Sequence, residues 1–141
     1  MGMTEYGESL LLNCILGISD IPATLYLAVT TREPAADETA STLSEPSDPD
    51  YARQSIGTGS ANWTTAESGI SLYTNDVEFL TASQDWPIIA YWALTSAATD
   101  GDSIVWGKFD TPQAISTGQK LTIEAESFGL SVSSPEASLI V

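Results

Sequence analysis

Two apolar runs, Ile88–Thr95 and Ser103–Asp110, flank the turn residues Ala98-Thr99-Asp100-Gly101-Asp102. Strand-like segments joined through Asp-Gly predict an antiparallel hairpin. In the first run, alternation sends Ile88, Ala90, Trp92 and Leu94 one way and Ile89, Tyr91 and Ala93 the other, so both faces are apolar. Such a strand belongs in the middle of a sheet covered on both sides, by a second sheet, a helix or a neighbouring subunit. The second run places Ile104, Trp106 and Lys108 on one face and Val105 and Phe109 on the other, and Asp110-Thr111-Pro112 is expected to end it. Lys120–Glu126 and Ser127–Ser133 predict two closing strands.

Upstream, Leu10, Leu11, Cys14, Ile15 and Ile18 recur at offsets of three and four, which predicts a short helix over Tyr6–Gly17 with one apolar stripe and Gly17 as its C-cap. A helix this short does not persist by propensity alone, so it is expected to dock on one face or one end of the sheet. Thr24–Thr30 predicts a strand with Leu25, Leu27 and Val29 inward and Tyr26 opposite. Thr31–Asp50 breaks the pattern with six acids, three prolines and Leu43 as its one obvious aliphatic anchor. It reads as an extended surface excursion without a core of its own, suited to lying along a neighbour. Tyr51–Gly57, Asn62–Thr64, Ile70–Tyr73 and Asp76–Leu80 predict further short strands, the last with Val77 and Phe79 toward the core. With no βαβ rhythm and no internal repeat, the expectation is a mainly β fold. It would be an antiparallel β-sandwich, jelly-roll-like or a partly closed barrel, with one short N-terminal helix, on a single domain over 1–141.

A chain of 141 residues has room for one domain, and a domain of that size buries roughly two thirds of its unfolded surface. Nineteen acids against four bases give a formal charge of −15. That balance argues against nucleic acid or an anionic membrane as partner, because both require clustered Lys and Arg. Cys14 is the only cysteine, so no intrachain disulfide forms, and its apolar setting predicts a buried thiol. Neither a signal peptide nor an apolar run of membrane-spanning length is present, which predicts synthesis and folding in a cytoplasm.

Catalysis finds no footing. The chain has no histidine and its lone cysteine has no partner base. Nothing fixes Glu78 and Glu124 as an opposed carboxylate pair, and Gly57-Thr58-Gly59 is too short to cradle phosphate and has no lysine after it. Asp100, Asp102 and Ser103 echo the start of a calcium loop without its remaining ligands, so they read as a turn. Glu33, Asp37, Glu38, Glu45, Asp48 and Asp50 read as a solvated acidic loop rather than a cation site. No enzyme activity, cofactor or metal is expected. Trp86 and Trp92, within an apolar strand and beside Pro87, are expected in the core or at a subunit interface. The interface candidates are Leu43, Tyr51, Arg53, Trp63, Trp106 and the apolar tip Leu139-Ile140-Val141. Arg53 has two readings, an ion pair to a neighbouring subunit or a pair with Asp50 or Asp76 of its own chain.

Tyr51-Ala52-Arg53-Gln54, then Asn75-Asp76-Val77-Glu78-Phe79, then Thr81-Ala82-Ser83-Gln84-Asp85-Trp86 and the apolar hairpin resemble a family of small structural proteins of tailed bacteriophages, labelled as head decoration or tail fibre proteins. The resemblance extends upstream to Thr24-Leu25-Tyr26-Leu27-Ala28-Val29-Thr30-Thr31 and downstream to Gly118–Ile123 and Phe128–Val132. It departs at Pro87, where the family has glycine, at Ala93-Leu94-Thr95, and at Thr30, where the family has histidine. The resemblance implies a non-enzymatic virion subunit. The expected role is capsid decoration or cement, with the protein binding the major capsid protein or another virion protein as a homotrimer at the capsid surface. A tail, neck or fibre-attachment subunit is the alternative, and a carbohydrate-binding module using Trp63 or Trp106 is the second.

Overall fold

The computed structural model describes residues 1–132. In chain order the elements are β1 (Gly2–Met3), α1 (Glu5–Ile15), β2 (Thr24–Thr30), a 3-10 turn at Ala40–Thr42, β3 (Gln54–Gly57), β4 (Ile70–Leu72), β5 (Val77–Glu78), β6 (Ile89–Thr95), β7 (Ser103–Gln113), β8 (Thr122–Ile123) and β9 (Gly129–Ser131). One five-stranded sheet runs in the order β1-β7-β6-β2-β3, and two two-stranded ribbons pair β4 with β9 and β5 with β8. All pairings are antiparallel.

The hairpin expected at 88–110 is the tip of a much longer one. Pairings nest around the Asp100-Gly101 turn, from Ile70↔Ser131 through Val77↔Ile123 to Trp92↔Gly107. Backbone bonds Tyr73 N to Phe128 O (2.8 Å), Phe79 N to Leu121 O (2.9 Å), Ala82 N to Gln119 O (2.8 Å) and Trp86 N to Ile115 O (2.8 Å) fill the intervals between the ribbons. The segment from Ile70 to Ser131 is thus one hairpin folded over on itself. Its tip lies in the five-stranded sheet, and its stem covers that sheet. Asp100 and Gly101 both sit at positive φ (53° and 77°), the backbone that an Asp-Gly pair supplies most readily.

The fold-over exists because it buries the apolar side chains of both layers. Leu27, Val29, Ile56, Trp92 and Leu94 of the sheet meet Val77, Phe79, Ile123 and Phe128 of the stem in one core. Trp86 and Trp92 lie inside it, the core and not a subunit interface of the two places expected, and Trp92 meets the Phe128 ring edge to face at 4.8 Å. The expected sandwich therefore has one continuous layer and a second layer made of two ribbons.

Several expectations are corrected. The 31–50 excursion does have a core: Ala40 and Leu43 pack with Ala28 and Ala93 on the sheet's other face, against half-buried Trp106. Alanines at those two sheet positions leave room for the loop to lie close. Backbone bonds Ala40 N to Gly101 O (3.1 Å) and Thr31 N to Ser44 O (3.0 Å) hold it there. The second apolar face of β6 is thus covered by the same chain. At the register shift between Ile89 and Tyr91 the alternation of β6 breaks, and Ile89 is the residue buried with Trp92 and Leu94, while Ile88 is exposed. β7 continues through Pro112 to Gln113; β1 borders it only at Val105 and Trp106, and a strand tolerates proline where one edge is unpaired. Asn62–Thr64 contributes only the Trp63↔Tyr73 bridge, and Tyr51–Arg53 lie outside β3. Cys14 is half-buried rather than enclosed.

Candidate interaction surface

Thr4 opens α1: its Oγ1 accepts from Gly7 N at 3.1 Å, its backbone N donates to Ile104 O at 3.0 Å, and its hydroxyl also lies against the Ser103 carbonyl. The helix closes with Gly17 at φ +71°, where Ile18 N donates to Asn13 O (2.8 Å) and Gly17 N to Cys14 O (3.2 Å). These two bonds form a Schellman cap on the predicted glycine. Between the caps, the side turned to the body is narrow. Gly7 is the helix's only buried residue, with Leu10 and Cys14 half-buried; these fall at offsets of three and four on one stripe. Gly7 is close to the strand, since a Cβ there would stand 2.0 Å from Ile104 O.

The expected apolar stripe is therefore split. Leu10 and Cys14 turn inward, but Leu11, Ile15 and Ile18 do not. Leu12 (58%), Ile15 (71%), Leu16 (68%), Ile18 (70%) and Ile21 (71%) are exposed, and so is Leu11. Rows Leu11/Ile15 and Leu12/Leu16, each spaced by four, give α1 a second aliphatic face beside the docked one. Exposed large aliphatics gathered on one helix face mark a site of contact. The charged side chains on and just after the helix are Glu5, Glu8 and Asp20, and no Lys or Arg occurs before Arg32. No helix among the described residues is long and apolar enough to cross a membrane.

The candidates named from sequence gather elsewhere. Arg53 is almost fully enclosed, and its partner is Glu45, not Asp50 or Asp76. Nε and Nη2 donate to the two Glu45 oxygens at 2.9 and 2.8 Å, Nη2 to Ala40 O at 2.7 Å, and Nη1 to Ala97 O and Asp100 O at 2.9 and 2.8 Å. All donors of the guanidinium fork are engaged within its own chain, tying the excursion to the hairpin turn. Burial opposes the guanidinium's charge, but the hydrogen bonds and field of Glu45 outweigh it and raise the Arg53 pKa. Tyr51 Oη donates to Glu45 at 2.7 Å and accepts from Val29 N at 3.1 Å, and its ring meets Trp86 edge-on. Burial above all, then the Glu45 charge, pushes its phenol upward.

Leu43 lies beneath the excursion. Trp63 is half-buried with Nε1 donating to Gly57 O at 2.8 Å, and Trp106 packs on Tyr91. Leu139, Ile140 and Val141 lie outside the described residues. The acids of the excursion do not converge. Glu38 pairs with Arg32 (2.5 Å), Glu45 with Arg53, and Asp48 accepts from Ser83 Oγ, Ser83 N, Trp86 Nε1 and Asp50 N. Burial alone would raise the Asp48 carboxyl, but those hydrogen bonds outweigh it and hold the group well below the ordinary aspartate value. Among the described residues no group of three ligating side chains could hold a metal.

The helix face escaped the sequence reading because its spacing fits one docking stripe as well as two faces. The available signal was excess: six large aliphatics within Leu11–Ile21 are more than one stripe needs. A protein-family model described as Podophage GP4 fiber I protein gp80 matches residues 2–131. No curated protein matches the chain.

Proposed function

The chain belongs to this podophage fibre-protein family and is a non-enzymatic structural protein of the phage virion, and on that premise we propose that it is a tail-fibre or fibre-attachment subunit acting by surface contact. The exposed aliphatic face of α1 carries the reading: a subunit whose task is assembly needs an apolar surface that its own fold leaves open. Fibre attachment is preferred to capsid decoration because the matching family is described as a fibre protein. The homotrimer expected from sequence stays within this proposal, as the state in which the subunit joins a fibre. The fibre reading is preferred to a carbohydrate-binding module because Trp63 and Trp106, both half-buried, pack against other aromatic rings.

Copy number per particle tests the proposal, by quantitative mass spectrometry of purified virions against the major capsid protein. A fibre subunit is expected at a small fraction of the capsid copies. A ratio near one to one, or near one per three capsid subunits, would return the protein to the shell as decoration.

A further inference from the structure

We infer that the exposed aliphatic face of α1 seats in an apolar groove of a different virion protein whose rim carries basic side chains, and not against a second copy of this chain. The inference rests on the fibre-subunit reading and goes beyond it by fixing the chemistry of the partner. The apolar face supplies burial, and the charges around it decide what can approach. Glu5, Glu8 and Asp20 lie on and just after the helix, all exposed, and the chain has no Lys or Arg before Arg32. A second copy meeting this one through α1 brings the same acids to the same face. It also brings few bases with which to answer them: of four, Arg32 is paired with Glu38, Arg53 with Glu45 and Lys120 with Glu78, leaving only Lys108 without an ion pair among the described residues. Like charges facing each other across an interface disfavour it, whereas a basic rim both attracts and orients. A membrane is the poorer occupant as well, because helices that lie on lipid carry Lys and Arg on their polar face and α1 has neither.

The test is site-specific photocrosslinking in intact particles, with p-benzoylphenylalanine in place of Ile15, which is exposed and lies off the docked stripe. The expected product joins this chain to another virion protein, at a peptide with Lys or Arg beside the crosslinked residue. Products joining two copies of this chain, a partner peptide without basic residues, or no protein product would overturn the inference. A second measurement uses the purified chain: sedimentation at low and high salt should give the same mass for the wild type and for Leu12→Asp. Self-association that Leu12→Asp abolishes would also overturn it. The two readings fail separately. Copy-to-copy crosslinks at fibre-like copy number sink only the basic-partner inference, while shell-like copy number sinks the fibre reading itself.

Discussion

Arg53 presents five donors, and Glu45, Ala40, Ala97 and Asp100 accept them inside the fold, with only 5% of the side chain exposed. Arg53→Met keeps the bulk and removes the charge, leaving Glu45 without its counterion. The expected loss is about 3–5 kcal/mol, as for removal of one partner of a buried pair, read from urea unfolding. Tyr51→Phe removes one hydroxyl and leaves Val29 N without its acceptor, an expected loss of about 1–3 kcal/mol in the same measurement. Asp48 gives a prediction in pH. Its folded-state carboxyl titrates below the ordinary 3.8, so its contribution is fully present above that value and fades as pH falls through the folded one. The stability difference between wild type and Asp48→Asn should be constant near neutrality and shrink below pH 3.8. A difference that stays flat in acid would show that the Asp48 charge does not support the fold.

At the scale of elements, α1 is held along one narrow stripe: the Thr4 cap, Gly7 against Ile104 and the partial burial of Leu10 and Cys14. Gly7→Ala sets a Cβ 2.0 Å from the Ile104 carbonyl, a backbone oxygen that also accepts from Thr4 N, so helix and strand cannot both keep their places. The helix must lift, at an expected cost of about 1–3 kcal/mol. Hydrogen exchange should show faster exchange over Glu8–Leu16 with unchanged protection in β6 and β7. The nested hairpin has no such single point of failure, because its stem is fastened at several separate backbone pairs along its length.

For the whole molecule, two properties act together: a large like charge and one apolar face left open. The formal −15 predicts self-repulsion, so added salt should raise the melting temperature of the isolated chain. The open face contributes little to the fold that carries it, since its side chains are largely exposed. Leu12→Asp and Ile15→Asp are therefore expected to leave stability within about 0.5 kcal/mol each while removing the subunit from assembled particles. Loss of folding in either variant would show that the face is part of the core.

Local pattern determined the elements whose causes are local. Asp100-Gly101 set the hairpin turn, alternation at Leu25, Leu27 and Val29 set β2 to the residue, and Gly17 set the end of α1. The burial of Trp86 and Trp92 was equally legible, because a continuous apolar run has nowhere else to go. Tertiary structure alone decided what depends on residues far apart. It folded the hairpin so that its stem covers its tip, and chose Glu45 for Arg53. It also laid Ala40 and Leu43 over Ala28 and Ala93, giving the acidic excursion a core that its composition hides. At the start of β6 a register shift put Ile89 and not Ile88 in the core, a change that spacing cannot reveal because periodicity fixes alternation but not its phase across an irregularity. The same limit governs α1. Sequence supplied enough aliphatic residues for two faces, and only the closeness of Gly7 to β7 decided which of them the protein keeps for itself and which it leaves open.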